Sequence, residues 1–353
     1  MLNKETVLKA LSGVDDPELK KPLTELGMVR SVTIDNATVK VEIALTVPGC
    51  PLKDKITSDI TAAVTQIEGV DNVEVTFGVM TDEQRQALKE KLGQAGAGQS
   101  GDGTATHIAK RFIAVSSGKG GVGKSTCTVN LAVALTKIGY KVGLLDADVY
   151  GFSIPRMLGL TGQPTQLDDK LVPLRWGDNL QAVSMGFFVA EDEPVIWRGP
   201  LLHKAINQFL TDVVWDDLDF LLLDLPPGTG DVTLTIAQAL PSAELLVVTT
   251  PQATATHVAG RVAKLAEKTK LSVLGVIENM AYFEVNGHKE YVFGRDGGKM
   301  LAERLGVNLL GEIPLETSIR EGADAGQPVA HTGTDAQQGT FEGIARRIVA
   351  VSS

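Results

Sequence analysis

Cysteine is nearly absent from this chain: its 353 residues include only Cys50 and Cys127. Two thiols make no disulfide framework, and such sparse use fits the reducing cytoplasm. Basic charge is in deficit as well. Lys and Arg number 33 against 43 Asp and Glu, a formal net charge of −10, which argues against a nucleic-acid groove as the main business of the protein. No apolar run approaches the ~18 residues of a membrane span, and the first residues hold no long apolar core of the signal-peptide kind. No internal repeat is visible. These absences lead us to expect a cytoplasmic protein without nucleic-acid or membrane partners, long enough for two domains.

What is present is a phosphate-binding loop, Gly118-Lys119-Gly120-Gly121-Val122-Gly123-Lys124-Ser125-Thr126. It matches G-x-x-x-x-G-K-[ST], a pattern that arises by chance in such a chain on the order of one per cent of the time. Its glycines let successive backbone N–H groups turn around phosphates. Lys124 reaches those phosphates, Ser125 ligates Mg²⁺, and the following helix points its N-terminus at the anion. A buried strand at 111–116 and a helix at 125–137 supply the context the motif requires. Lys119 is open to two readings: a solvated loop lysine, or one that reaches across a dimer interface to the partner's nucleotide, as an arginine finger does in trans.

Three further strands end in polar residues. The run 141–148 closes on Asp146 and Asp148, at the carboxyl end of a strand, where open α/β sheets bind ligands. Asp148 is the residue placed to orient the attacking water and Asp146 to join the Mg²⁺ hydration shell, although either could be an N-cap or turn residue. The run 219–224 ends in Asp224, positioned to hold Mg²⁺ through water. It continues as Leu225-Pro226-Pro227-Gly228-Thr229-Gly230-Asp231, a stretch able to sense the γ-phosphate, with Asp231 expected to cap the next helix. The run 272–280 ends in Glu278-Asn279-Met280.

Composition divides the chain. Residues 93–107 are rich in glycine and poor in apolar bulk, the character of a flexible linker. Residues 1–92 read as a small α+β domain: a helix at 4–11, strands at 29–34 and 37–45 joined by an Asp35-Asn36 turn, a helix at 52–67, a strand at 70–76 and a short helix at 83–92. Over 108–353 strands and helices alternate, which predicts an α/β domain with a mostly parallel sheet and helices on both faces. Near the C-terminus Phe341, Ile344, Ala345, Ile348 and Val349 fall at helical spacing. With only Arg346 and Arg347 as basic neighbours, that stripe suits packing on the sheet better than a membrane surface.

The G-K-G-G-x-G-K-[ST] form resembles the deviant phosphate loop of ATPases that include nitrogenase iron protein, Min and Par positioning proteins, arsenite pump ATPases and the Mrp/ApbC family. The stretches 145–155, Ser184-Met185-Gly186-Phe187, Trp197-Arg198-Gly199-Pro200, 224–231 and 277–280 look like the Mrp/ApbC iron–sulfur cluster carriers. The N-terminal runs 14–19 and 45–51 resemble the small iron–sulfur assembly domain often fused to them. The resemblance implies an ATPase using ATP and Mg²⁺, a homodimer that sandwiches nucleotide, cluster-assembly partners and apoprotein recipients. It carries adenine recognition to Asn279, whose amide can donate and accept, and places the Ile313-Pro314 turn beside the base.

The resemblance also breaks. Family members carry a C-x-x-C pair shortly after Glu-Asn-Met, and two such pairs hold a cluster across the dimer; residues 281–294 here contain no cysteine. A [4Fe–4S] cluster held in that way is not available, since thiolates are its usual ligands. His288 reads as a solvated loop histidine and Cys127 as a packing residue. Cys50 stands before Pro51 at an expected helix start, where a thiolate would be stabilised; a buried thiol closing a turn is the equal alternative. A metal-free positioning ATPase of the Min/Par type is the competing function.

Overall fold

The computed structural model describes residues 2–17, 21–45, 53–81, 84, 108–148, 151–167, 170–187, 199–228, 231–252 and 255–351. The chain divides into two compact units, Met1–Ala97 with Thr165–Arg175, and Gly98–Pro164 with Trp176–Ser353.

In the smaller unit, α1 (Lys4–Leu11) is capped by Asn3, whose side chain accepts from the Thr6 N–H at 2.8 Å and so satisfies an orphan donor of the first turn. β1 (Val29–Asp35) and β2 (Thr38–Leu45) pair antiparallel around a turn at Asn36-Ala37, one residue later than the expected Asp35-Asn36. There Asn36 takes a left-handed φ of 52°, which asparagine tolerates. α2 (Lys53–Val64) leads to β3 (Asn72–Val79), which pairs parallel to β2 in the order β1-β2-β3. Val39, Val41 and Ile43 alternate along β2 and are buried, as are Val7, Leu11, Ile56 and Ile60 on the helices. Period two on the strand and the helical stripes therefore meet in one core. The helix stops earlier than its expected end at 67, and β3 starts later than 70, because a turn around Gly69 (φ 94°) intervenes. The expected helix at 83–92 and the linker lie outside the described residues.

The larger unit is built on β4 (Ala109–Ser116), β5 (Val142–Asp146), β8 (Leu174–Trp176), β9 (Leu180–Ser184), β10 (Leu218–Asp224), β11 (Glu244–Thr249), β12 (Ser272–Asn279) and β15 (Leu309–Ile313). They form one 8-stranded sheet in the order β15-β12-β11-β4-β10-β5-β9-β8. Every ladder from β15 to β9 is parallel. Strand β11 shows how both faces are covered. Leu246 and Val248 join the core under the helices Lys124–Lys137 and Asp335–Ala350, whereas Val247 joins Val262, Leu301 and Ala302 of the helices Ala255–Thr269 and Gly297–Leu305. A sheet buried on both sides reads as continuous apolar runs, which is what its strands show in sequence. In this unit β13 (Phe283–Val285) pairs with β14 (His288–Glu290) as a hairpin; β6 (Thr165–Leu167) pairs with β7 (Lys170–Val172) in the segment Thr165–Arg175 that groups with the smaller unit.

The C-terminal stripe packs on this sheet. Its helix, Asp335–Ala350, opens on a capping box between Thr334 and Gln337 and buries Phe341, Ile344, Ala345 and Ile348. Burial of a side chain the size of Phe341 contributes roughly 1.5–3 kcal/mol. Arg347, itself exposed, donates Nη1 to the Leu310 carbonyl at 2.7 Å. Arg111 closes the far end: it pairs with Glu244 at 2.7 Å and donates to the Ile348 carbonyl at 2.9 Å. Among the described residues no helix is long and apolar enough to cross a membrane.

Candidate nucleotide site

β4 and β11 neighbour each other while successive crossovers lead away on either side, and the loop after β4 opens at that switch of direction, where α/β sheets bind ligands. Gly121 and Gly123 have φ of 76° and 78°, a region that side chains disfavour. Gly123 has a second constraint: a Cβ there would run into the Asn279 amide. The helix begins at Lys124, so its unpaired N–H groups face the loop. A cleft of about 210 Å³ lies over the loop and is bordered by Asp148, Ser153, Met157 and Pro227.

Asp224 is the hub. At the end of β10, with no exposed surface, its Oδ1 accepts from Thr128 Oγ1 at 2.8 Å. Its Oδ2 accepts from Ser125 Oγ at 2.6 Å and pairs with Lys124 Nζ at 2.6 Å. Lys124 also lies 3.8 Å from Asp148 Oδ2. Asp148 is 8% exposed and borders the cleft. Thr128 went unnoticed in the sequence, although it stands one helical turn after Ser125 and so shares its face.

Asp146 sits opposite Asp224 on the neighbouring strand. It is fully buried. Oδ1 accepts from the Asp148 N–H at 3.2 Å, and Oδ2 from Ser184 Oγ at 3.0 Å and the N–H groups of Ser153 and Ile154 at 3.1 and 3.3 Å. Asp146 therefore braces the turn that carries Asp148 and the start of the short helix Ile154–Met157. Burial first, and then the Asp224 charge, push its carboxyl up to about 7. Ser184, which anchors it from β9, is a site residue that sequence spacing does not reveal.

The end of β12 meets the loop, and β15 pairs beside it. Asn279 pairs in register with Ile313, which brings Pro314 beside it. Asn279 is 6% exposed and donates Nδ2 to the Val122 carbonyl at 2.8 Å. Lys119 turns toward its own chain, donating Nζ to Gln252 Oε1. Cys127 is 1% exposed, and burial, reinforced by Asp224, pushes its thiol up to about 12; it is a packing residue. His288 lies on the exposed strand β14. Cys50 lies outside the described residues.

The family model for NUBPL iron-transfer P-loop NTPases matches residues 108–349, and one for iron-sulfur cluster assembly proteins matches residues 4–77. The chain belongs to the NUBPL iron-transfer P-loop NTPase family. Its relatives include an iron-sulfur cluster carrier protein of Mycobacterium tuberculosis, 46% identical over 345 residues, covering 94% of this chain and 88% of the relative. The carrier protein of Bacillus subtilis is 43% identical over 321 residues, covering 90% and 89%. Among solved structures, a nucleotide-binding protein of Archaeoglobus fulgidus in complex with ADP is 40% identical, with a TM-score of 0.56 over 62% of this chain and 88% of that one. The cell division ATPase MinD of Pyrococcus furiosus is more distant, at 25% identity and a TM-score of 0.52 over 69% of this chain and 100% of that one. Both domain resemblances read from the sequence are thus shown, and the Min-type likeness is one of fold.

The raised carboxyl pKa of Asp146 makes stability depend on pH. The folded-state pKa of about 7 lies above the ordinary 3.8, so between those values the native chain binds more protons than the unfolded one. Stability from this group is present at the acid end and declines as pH rises through that window. Thermal unfolding of wild type and Asp146→Asn without nucleotide or metal should show the variant gaining on wild type between about pH 4 and about pH 7. A gap constant with pH would contradict the buried-acid account.

Proposed function

We propose that this protein binds and hydrolyses ATP with Mg²⁺ as a nucleotide-sandwich homodimer in the cytoplasm, and that the cycle serves to carry iron–sulfur clusters to apoprotein recipients. The observation that carries the ATPase half is the convergence of Lys124, Ser125 and Thr128 on the buried carboxylate of Asp224.

Ser125 Oγ and Asp224 Oδ2 stand 2.6 Å apart at the start of the loop helix, and an all-oxygen donor pair of this kind suits Mg²⁺, which keeps several waters and binds through one or two protein groups. Mg²⁺ held by Ser125 and Asp224 would offset the negative charge of the phosphate oxygens. Asp146, with its oxygens held by the protein's own donors, supports Asp224 from behind. Lys124 has a short path to the phosphates: its Nζ leaves Asp224 for an incoming phosphate oxygen while Thr128 and Ser125 keep the carboxylate oriented. Asp148, at the lip of the cleft, orients the attacking water by accepting its hydrogen bond. Lys119 of a second protomer supplies positive charge to the transferred phosphoryl group. One Nδ2 hydrogen of Asn279 goes to the loop, which leaves Oδ1 and the second Nδ2 hydrogen to accept from and donate to the adenine edge.

For the cargo half, the whole-length likeness to proteins named iron-sulfur cluster carriers supports the reading. The hairpin β13–β14 occupies the stretch where the family's cysteine pair would stand, and it carries none. Cys127 is buried and held as a thiol. Cys50 is then the one thiolate each protomer can offer, and a cluster bound through it needs further ligands from a recipient or an assembly partner.

Lys124→Ala should lower ATP turnover by about 10²–10³-fold, and Lys119→Ala should lower kcat with nucleotide affinity nearly unchanged; Lys119→Ala turnover equal to wild type would remove the trans lysine. Anaerobic reconstitution with iron and sulfide should give visible absorption in wild type that Cys50→Ser loses. Equal cluster content in the two proteins would exclude Cys50 as a ligand, and no cluster in either would favour a metal-free switch.

A further inference from the structure

The two lysines of the phosphate loop are held in different ways. Lys124, with a side chain 6% exposed, lies between the carboxylates of Asp224 and Asp148, at 2.6 and 3.8 Å. Lys119 is partly exposed, and its ammonium rests on a neutral amide oxygen, Oε1 of Gln252 in the same chain. Gln252 closes the run Thr250-Pro251-Gln252 after β11. The same stretch of chain supplies a second tether: Arg261, on the helix Ala255–Thr269, donates Nη1 to the Gly118 carbonyl at 3.0 Å. Ser117 Oγ fixes the backbone at this point by donating to the Lys119 carbonyl at 3.0 Å. The consecutive residues Gly118 and Lys119 are thereby tied to the segment following β11, and the tie on Lys119 carries no opposing charge.

That chemistry matters. A carboxylate would hold the ammonium with a full opposite charge, whereas an amide holds it with direction but little field and yields it readily to an anion. A side chain that must stay in place in one state and reach a phosphate in another needs a holder of this kind, because a ligand shifts such an equilibrium only by its differential affinity for the two states. We propose that Gln252 is a positioning residue that keeps Lys119 within its own protomer, and so sets how readily a second copy of this chain, carrying a nucleoside triphosphate, completes the site. The inference rests on the trans reading of Lys119 given above.

The test uses the full chain with Mg²⁺ and ATP, and reads turnover per chain across a range of chain concentrations. Gln252→Ala and Gln252→Glu are compared with wild type, alone and in a Lys119→Ala background, and affinity for a fluorescent ADP analogue is measured at low chain concentration. Removal of the amide should lower the chain concentration for half-maximal turnover by about fivefold to tenfold, and the carboxylate should raise it by a similar factor. ADP affinity should stay constant, and both shifts should vanish when Lys119 is Ala. Opposite signs are a readout that simple damage to the loop does not give. If both substitutions shift in one direction, or neither shifts while Lys119→Ala still slows turnover, the latch is overturned and the trans reading stands. If Lys119→Ala turns over like wild type, or wild-type turnover is independent of chain concentration, both fall together.

Discussion

One buried carboxylate organises this molecule's chemistry. Asp224 sits at the end of a central strand with no surface of its own, and an unpaired charge in such a place would be costly. The loop helix supplies what it needs. Thr128 and Ser125 donate to it from successive turns, and Lys124 brings the opposing charge. Every part of that arrangement requires the helix to start at Lys124 and to lie across β10. The left-handed glycines of the loop, and the absence of a side chain at Gly123, make that start geometrically possible. In the proposed function phosphate would take the place of Asp224 as the lysine's partner and Mg²⁺ would be held at Ser125 and Asp224, a change of occupants that needs no rebuilding of the site.

Behind this hub stands a second carboxylate with a different task. Asp146 and Asp224 are register partners on adjacent strands, so their charges oppose one another. Asp146 answers that repulsion with donors from its own turn and from Ser184. The result couples the strand ends β5, β9 and β10 to the turn that carries Asp148, and so fixes where Asp148 stands relative to the loop.

Sequence made the strand ends and the loop legible because their chemistry is local. Glycines at fixed offsets, a lysine and a serine after them, and carboxylates closing apolar runs sit next to one another in the chain. The residues that reasoning missed act across the sheet. Thr128 meets Asp224, Ser184 meets Asp146, and Gln252 meets Lys119 only because parallel strands place distant segments side by side. The hairpin β13–β14 was legible and overlooked. Asn286-Gly287 takes positive φ at both residues, 50° and 77°, which is the turn that an Asn-Gly pair favours between short strands. Among the described residues of the small unit the strand and helix types are as the periodicity implies, and element ends moved, around Gly69 and at the end of β3, which runs to Val79 rather than 76.

The central claim is that one protomer holds an incomplete triphosphate site, with Lys119 as the part that a second copy contributes. Sedimentation of the full chain with Mg²⁺ and a non-hydrolysable ATP analogue, compared with Mg²⁺ and ADP, addresses it most directly. The account predicts a doubling of mass with the triphosphate and not with ADP, and loss of that doubling when Lys119 is replaced by Ala. A chain that stays monomeric with the triphosphate analogue yet hydrolyses ATP at full rate would contradict it.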